Sequence, residues 1–187
     1  MGLVDQNIDI FCIAETKIDS ACPTDQFVAP GYHKPFRIDG PKVREASGGL
    51  LVYVKDNIPA KLLNIQLKLP ENCQALPIEL NFRKQKWLFV PIYRPETFNK
   101  SRFVDSISNV LDFYTKSYDN FLVVGDMNME ASDLEMTPLT KGHNLYSMIR
   151  SPTCFRNPKG RCIDLILTNK KYSFMHLLQI RRMIFTI

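Results

Sequence analysis

Asp126 and Asn128 directly follow the apolar run Phe121-Leu122-Val123-Val124-Gly125, so strand-type residues deliver a carboxylate and an amide to one edge. Taken alone, Gly125-Asp126-Met127-Asn128 also suits a turn, since glycine, aspartate and asparagine all favour turn geometry. Other apolar runs carry polar groups in the same manner. Ile8 to Ala14 leads into Glu15, Trp87 to Ile92 leads into Tyr93 and Arg94, and Ile163 leads into Asp164 with Leu165-Ile166-Leu167 behind it. Strand ends far apart in sequence can meet in space, and three carboxylates, a phenol and an amide would then share one site. Carboxylate oxygens suit a hard cation such as Mg²⁺, which binds through one or two carboxylates plus substrate phosphate oxygens. A phosphodiester attacked by water needs charge neutralisation at phosphorus and a group to orient or deprotonate the water. On that chemistry Glu15 holds the metal, Asp126 takes the proton, and Asn128 and Tyr93 donate to phosphate oxygens. The alternatives are plain: Glu15 as a solvated strand end, and Tyr93 as a residue at the edge of the core. Asp164, inside an apolar run, is harder to dismiss because a buried carboxylate needs a partner.

The elements that must position these groups are short and β-type. Runs at Ile8 to Ile13, Gly49 to Val54, Leu62 to Leu67, Ile78 to Phe82, Trp87 to Tyr93, Phe121 to Val124 and Ile163 to Leu167 are rich in β-branched or aromatic residues. Phe103, Ile107, Val110, Leu111 and Tyr114 recur at helical spacing, predicting one helix with a core-facing stripe. Several strands precede that helix without long helical patterns between them, so antiparallel pairing is expected there and a mixed sheet or sandwich is favoured. The stretches Pro23 to Gly40, Met136 to Gly142 and Asn157 to Gly160 read as surface loops.

The whole-chain numbers are compatible with this. With 187 residues, 45% hydrophobic and 23% charged, the chain suits one globular domain, and disorder is excluded. A net charge of +5 mildly favours a polyanionic partner. Five scattered cysteines, with no CxxC, suggest neither a disulfide framework nor a zinc site. No basic leader or long apolar stretch is present, so an intracellular protein, nuclear or cytoplasmic and without membrane contact, is expected.

Ala14-Glu15-Thr16-Lys17, Ser47-Gly48-Gly49-Leu50-Leu51-Val52-Tyr53-Val54, Ile92-Tyr93-Arg94-Pro95, Gly125-Asp126-Met127-Asn128, Pro152-Thr153 and Ile163-Asp164-Leu165-Ile166-Leu167-Thr168-Asn169 occur in a telling order. Together they resemble the endonuclease/exonuclease/phosphatase superfamily, and more narrowly the apurinic-type endonuclease domain of LINE-like non-LTR retrotransposons. The resemblance runs from about Asn7 to Phe174. It implies a four-layer α/β sandwich of two mixed β-sheets flanked by helices, occupying residues 1–174, with an atypical tail at 175–187. The implied activity is Mg²⁺-dependent (or Mn²⁺-dependent) nicking of DNA, exposing a 3′-hydroxyl from which an associated reverse transcriptase domain primes. Position by position, Glu15 matches the metal ligand, Tyr93 the tyrosine at the phosphate, Asp126 the water-activating aspartate and Asn128 its companion. Asp164 matches the aspartate that orients a catalytic histidine, and Thr153 a threonine near the DNA-facing surface.

Two departures stand out. Family members carry an upstream strand with an asparagine near the site, where this chain has only Met1 to Gln6. They also end in Ser-Asp-His, where this chain continues past Phe174 with no aspartate and with His176 as its one histidine; that basic, apolar stretch resembles a frameshift product. The fold is therefore expected to lack its first and last strands, and nicking to be weak or absent. Two rivals remain: another phosphoesterase of the superfamily, such as a phosphatase, sphingomyelinase or deadenylase, or a non-catalytic remnant binding DNA through Lys42, Arg44, Arg83, Lys84, Lys86 and Arg94.

Overall fold

The structure, a computed structural model, describes residues 8–40, 48–64, 69–70, 72–82, 84–156 and 158–170. The tail with His176, and the basic residues Lys42, Arg44 and Arg83, lie outside the described residues. Two sheets face each other. The smaller has the order β1 (Ile10–Ala14), β3 (Leu50–Val54), β2 (Phe36–Ile38), and all its described pairings are antiparallel. The larger is mixed, in the order β4 (Ala60–Leu62), β6 (Ile78–Phe82), β7 (Gln85–Tyr93), β8 (Asn120–Asp126), β10 (Asp164–Thr168), β9 (Tyr146–Ser147), with β5 (Gln74–Ala75) paired to β7. Its parallel pair, β7 with β8, is joined through helix α1 (Lys100–Tyr114), the crossover that parallel neighbours require.

Side-chain alternation builds the layers. Along β7, Leu88, Val90 and Ile92 point to one face, where they meet Phe103, Ile107 and Leu111 of α1 in one apolar core. Phe89 and Tyr93 point to the other, where they meet Cys12, Leu50 and Val52 of the smaller sheet in a second core. On the outside of that sheet Phe11, Leu51 and Tyr53 pack with Ile8 and Tyr32 in a third. Three cores imply four layers, as expected, although α1 is the one α-helix among the described residues and the outermost layer over the smaller sheet is loop and 3₁₀ turn. The helix starts because the Asn99 side chain accepts from the Arg102 amide at 3.0 Å, and its apolar stripe is fully inward. Truncating Phe103 or Leu111 would cost about 3 kcal/mol or more. No described helix is long and apolar enough to cross a membrane.

The predicted strands fall within a few residues of the observed ones. For the run begun at Leu62 the strand comes earlier, at Ala60–Leu62, while residues 65–68 lie outside the described residues. Short β2, β5 and β9 have no counterpart in the sequence expectations, and the predicted loop from Met136 to Gly142 contains a turn of π-helix at Pro138–Gly142.

Candidate active site

Sheet register brings three of the sequence-predicted residues into a row. Tyr93 at the end of β7 is the partner of Asp126 at the end of β8, and Asp126 is the partner of Asp164, which opens β10. Glu15 arrives from the other sheet, one residue beyond β1. Tyr93 is 1% exposed, and its hydroxyl donates to Glu15 Oε1 at 2.7 Å, tying the two sheets together at the site. Asn128 follows two residues after Asp126; its amide N–H donates to Asp126 Oδ1 at 2.9 Å and its Nδ2 donates to the Arg94 carbonyl, also at 2.9 Å. These five line one cleft, together with Glu96, Thr97 and Arg156.

Two glycines explain why the chain can make this arrangement. Gly125 has φ +147°, and a Cβ there would stand 1.8 Å from the Ile92 carbonyl oxygen. Only glycine lets β8 approach β7 this closely, immediately before Asp126. Gly49, at φ +94°, would place a Cβ 2.2 Å from Thr16 Oγ1. The Gly48-Gly49 carbonyls accept from the Lys17 and Thr16 amides at 3.0 and 3.2 Å and so hold the turn in which Glu15 takes φ +55°. Left-handed backbone at a glutamate costs on the order of 1 kcal/mol and persists where surrounding contacts over-determine it. Gln74 supplies one such contact: its Oε1 accepts from the Gly49 amide at 2.7 Å while its Nε2 donates to the Asp39 carbonyl at 2.9 Å.

Crowded carboxylates shape the electrostatics. Burial pushes Asp126 up to about 7; the Asn128 amide opposes this, and the charges of Asp164 and Glu15 add to it. Burial likewise raises Asp164, against a hydrogen bond from the Thr153 side chain. A cation placed among these oxygens would relieve both effects. Glu15 carries the carboxylate oxygens that could hold Mg²⁺ or Mn²⁺, and Asp126 and Asp164 line the same cleft. Among the described residues no three acidic, imidazole or thiol side chains come together closely enough to hold a metal ion between them.

One expected nucleic-acid contact is corrected. Arg94 is 1% exposed, and its guanidinium points inward. Nε donates to the Met127 carbonyl at 2.6 Å, Nη2 to that of Asn128 at 2.8 Å, and Nη1 to those of Pro95, at 2.9 Å, Glu96, at 3.2 Å, and Phe98. It clasps the loop after β7 to the loop after β8, and burial among these carbonyls removes it from any DNA surface. Thr153 is half-buried and stands behind the cleft lining. Its Oγ1 accepts from the Ile163 and Asp164 amides at 3.2 and 3.1 Å, fixing the start of β10. Lys84 and Lys86 lie at the β6–β7 turn, and Lys86 is about 23 Å along β7 from Tyr93 at strand rise, with its Nζ 3.7 Å from Glu79. Asp164 meets Thr153 where an imidazole was expected. Among the described residues, His33 bonds the Ile58 carbonyl and His143 bonds Ser108, both outside the cleft. Sequence reasoning missed Gln74, Glu96 and Arg156. Glu96 sits two residues beyond Arg94 and was within reach of the motif, whereas nothing in the sequence marks Gln74 or Arg156.

A comparison with curated protein sequences gives no match. Among solved structures, the catalytic domain of human Nocturnin with bound sulfate superposes with a TM-score of 0.65 at 17% identity, over 90% of this chain and 71% of that one. The endonuclease domain of TRAS1, a telomere-specific non-LTR retrotransposon, gives 0.62 at 12%, over 90% and 75%. The Bacteroides thetaiotaomicron mannosyl-6-phosphatase Bt3783 gives 0.59 at 13%, over 89% and 73%. At such identities these likenesses establish the fold, the two-sheet α/β sandwich. Residues 3–173 match the profile of the Endonuclease/Exonuclease/phosphatase family, and with the whole described fold inside that match, the chain belongs to this family of phosphoesterases.

Proposed function

We propose that the cleft is a metal-dependent phosphodiesterase site acting on DNA, of the kind that nicks a target strand for reverse-transcription priming, and that turnover by this chain is slow. The observation that carries the proposal is the row Tyr93–Asp126–Asp164 on neighbouring strands, with Glu15 brought to it across the sheet interface through the Tyr93 hydroxyl. Asp126, whose carboxyl burial raises in the metal-free cleft, would take a proton from the attacking water. The Asn128 amide and the Arg94 clasp fix the loop that follows it. Glu15, with Asp126 or Asp164, would hold Mg²⁺ or Mn²⁺, whose charge would stabilise the phosphorane-like charge build-up. Slow turnover is proposed because neither described histidine reaches the cleft, and loss of a general acid–base group costs about two to four orders of magnitude in rate.

The DNA assignment draws on the ordered motifs shared with retroelement endonucleases and on the fold shared with TRAS1; a reverse transcriptase domain in the parent element would be its partner. The fold is shared also with a mannosyl-6-phosphatase, and the assay separates the two substrate classes. Supercoiled plasmid with Mg²⁺ is expected to convert slowly to open circle, with conversion stopped by EDTA and by Asp126→Ala. Conversion that survives Asp126→Ala would overturn the site. Fast conversion lost in Asp126→Ala would keep the site and overturn slow turnover, and preferential hydrolysis of sugar phosphates would replace DNA as substrate.

A further inference from the structure

The lining of the cleft is unbalanced in charge. Glu15, Glu96, Asp126 and Asp164 are acidic, and among the described residues Arg156 is the one cationic side chain that lines it. Arg94 lies beneath and is used up on carbonyls, and Arg161, next to the site, pairs with Glu130 at 3.8 Å. Arg156 is itself engaged: its Nη1 stands 3.5 Å from Glu96 Oε2, across the mouth of the cleft.

Both arms of this pair stand on fixed backbone. The Glu96 carbonyl is gripped by Arg94 Nη1 at 3.2 Å. The segment carrying Arg156 is closed by a two-way bridge, Cys154 N–H to the Arg161 carbonyl at 2.9 Å and Arg161 N–H to the Cys154 carbonyl at 2.8 Å. The side chains themselves are wet, 70% exposed for Arg156 and 62% for Glu96. An ion pair this exposed contributes little to the fold and breaks easily. A guanidinium bonds a phosphate through two parallel N–H groups, a stronger contact than a single-point surface pair.

Resting on the phosphodiesterase reading above, we infer that Arg156 is the phosphate-recognition side chain of this cleft and that Glu96 occupies it intramolecularly until a phosphodiester takes its place. Glu96 thus acts as an internal competitor: its carboxylate satisfies the arginine in the empty cleft and must swing away when nucleic acid enters. The consequence is unusual for a residue that lines a binding site, because neutralising Glu96 should improve binding, and should do so through Arg156.

A double-mutant cycle isolates that coupling. Binding of a short fluorescein-labelled DNA duplex, measured by anisotropy at low ionic strength with EDTA to prevent turnover, is compared for the parent chain, Arg156→Ala, Glu96→Gln and the double variant. Arg156→Ala is expected to weaken binding about tenfold and Glu96→Gln to tighten it about threefold, with the double variant matching Arg156→Ala. Equal tightening by Glu96→Gln in the Arg156→Ala background would reduce Glu96 to plain charge repulsion and overturn the inference, as would an Arg156→Ala variant that binds like the parent. If none of the four chains binds, the inference falls together with the DNA reading; an additive cycle on chains that do bind removes the inference alone.

Discussion

The two ends of the same central strands treat acidic groups in opposite ways. At the far end, Glu79 on β6 accepts from the Tyr118 hydroxyl at 2.6 Å, and that bond, the largest influence on it, holds its carboxyl below the usual range. Neighbouring polar groups there are equally settled: Asn120 Nδ2 donates to the Lys86 carbonyl at 2.8 Å, and Asn169 takes the Phe121 amide at 2.9 Å while giving to Asp119, also at 2.9 Å. Trp87 Nε1 is the exception, buried without an acceptor. At the cleft end the same strands finish in carboxylates that burial and mutual repulsion push upward, on backbone that includes Glu15 and Asn128 at positive φ. Polar groups that serve the fold are paired until their charge is comfortable. Groups left uncomfortable, and held so by glycine contacts and an arginine clasp, mark the place where the proposed cation and substrate would complete the arrangement.

The contrast is easiest to break at Gly125. An alanine there meets the Ile92 carbonyl at 1.8 Å on backbone that disfavours side chains, so Gly125→Ala should lose about 3 kcal/mol or more in chemical denaturation. At the far end, Tyr118→Phe removes the strongest of Glu79's donors and should cost about 1.5 kcal/mol at pH 7. Because the folded pKa of Glu79 is depressed, that stabilisation exists above its ordinary value of 4.5 and disappears as the pH falls through the folded value. Urea titrations of the two proteins should therefore converge in acid. The smallest effect has the opposite sign. The folded pKa of Asp126 is raised, so its contribution is present below 3.8 and is lost as the pH rises through about 7. Asp126→Asn should unfold about 4 °C above the parent at pH 8 in EDTA, by about 1 kcal/mol, with no gap at pH 4. A variant less stable than the parent at pH 8 would mean that Asp126 serves the fold as Glu79 does.

Much of this was legible in the sequence because it depends on periodicity. The α1 stripe from Phe103 to Tyr114 and the runs that became β3, β6, β7, β8 and β10 state their burial through their own spacing. Strands β2, β5 and β9, of two or three residues, exist only through pairing with a neighbour and have no pattern of their own. The same distinction holds at the cleft. That Glu15, Tyr93, Asp126 and Asp164 sit at strand ends is local information; that register makes Asp126 the neighbour of both Tyr93 and Asp164 is not. Gly125-Asp126-Met127-Asn128 is half strand and half turn, with Gly125 and Asp126 closing β8 and Asn128 at φ +48°. The sequence marks Arg94 as one of several basic residues open to DNA, whereas its burial depends on carbonyls from two loops that only the fold brings together. The hold of Thr153 on the start of β10 is equally non-local, its donors being the Ile163 and Asp164 amides.

That the cleft end is built to receive a cation is tested most directly by thermal unfolding at pH 8 across a Mg²⁺ titration, in the parent and in a Glu15→Gln, Asp126→Asn double variant. Ligand that binds only the folded state raises the melting temperature with concentration. The parent is predicted to rise by several degrees at saturating Mg²⁺ while the double variant stays flat. A parent that does not respond, or a double variant that rises with it, would contradict the assignment of these carboxylates to a metal.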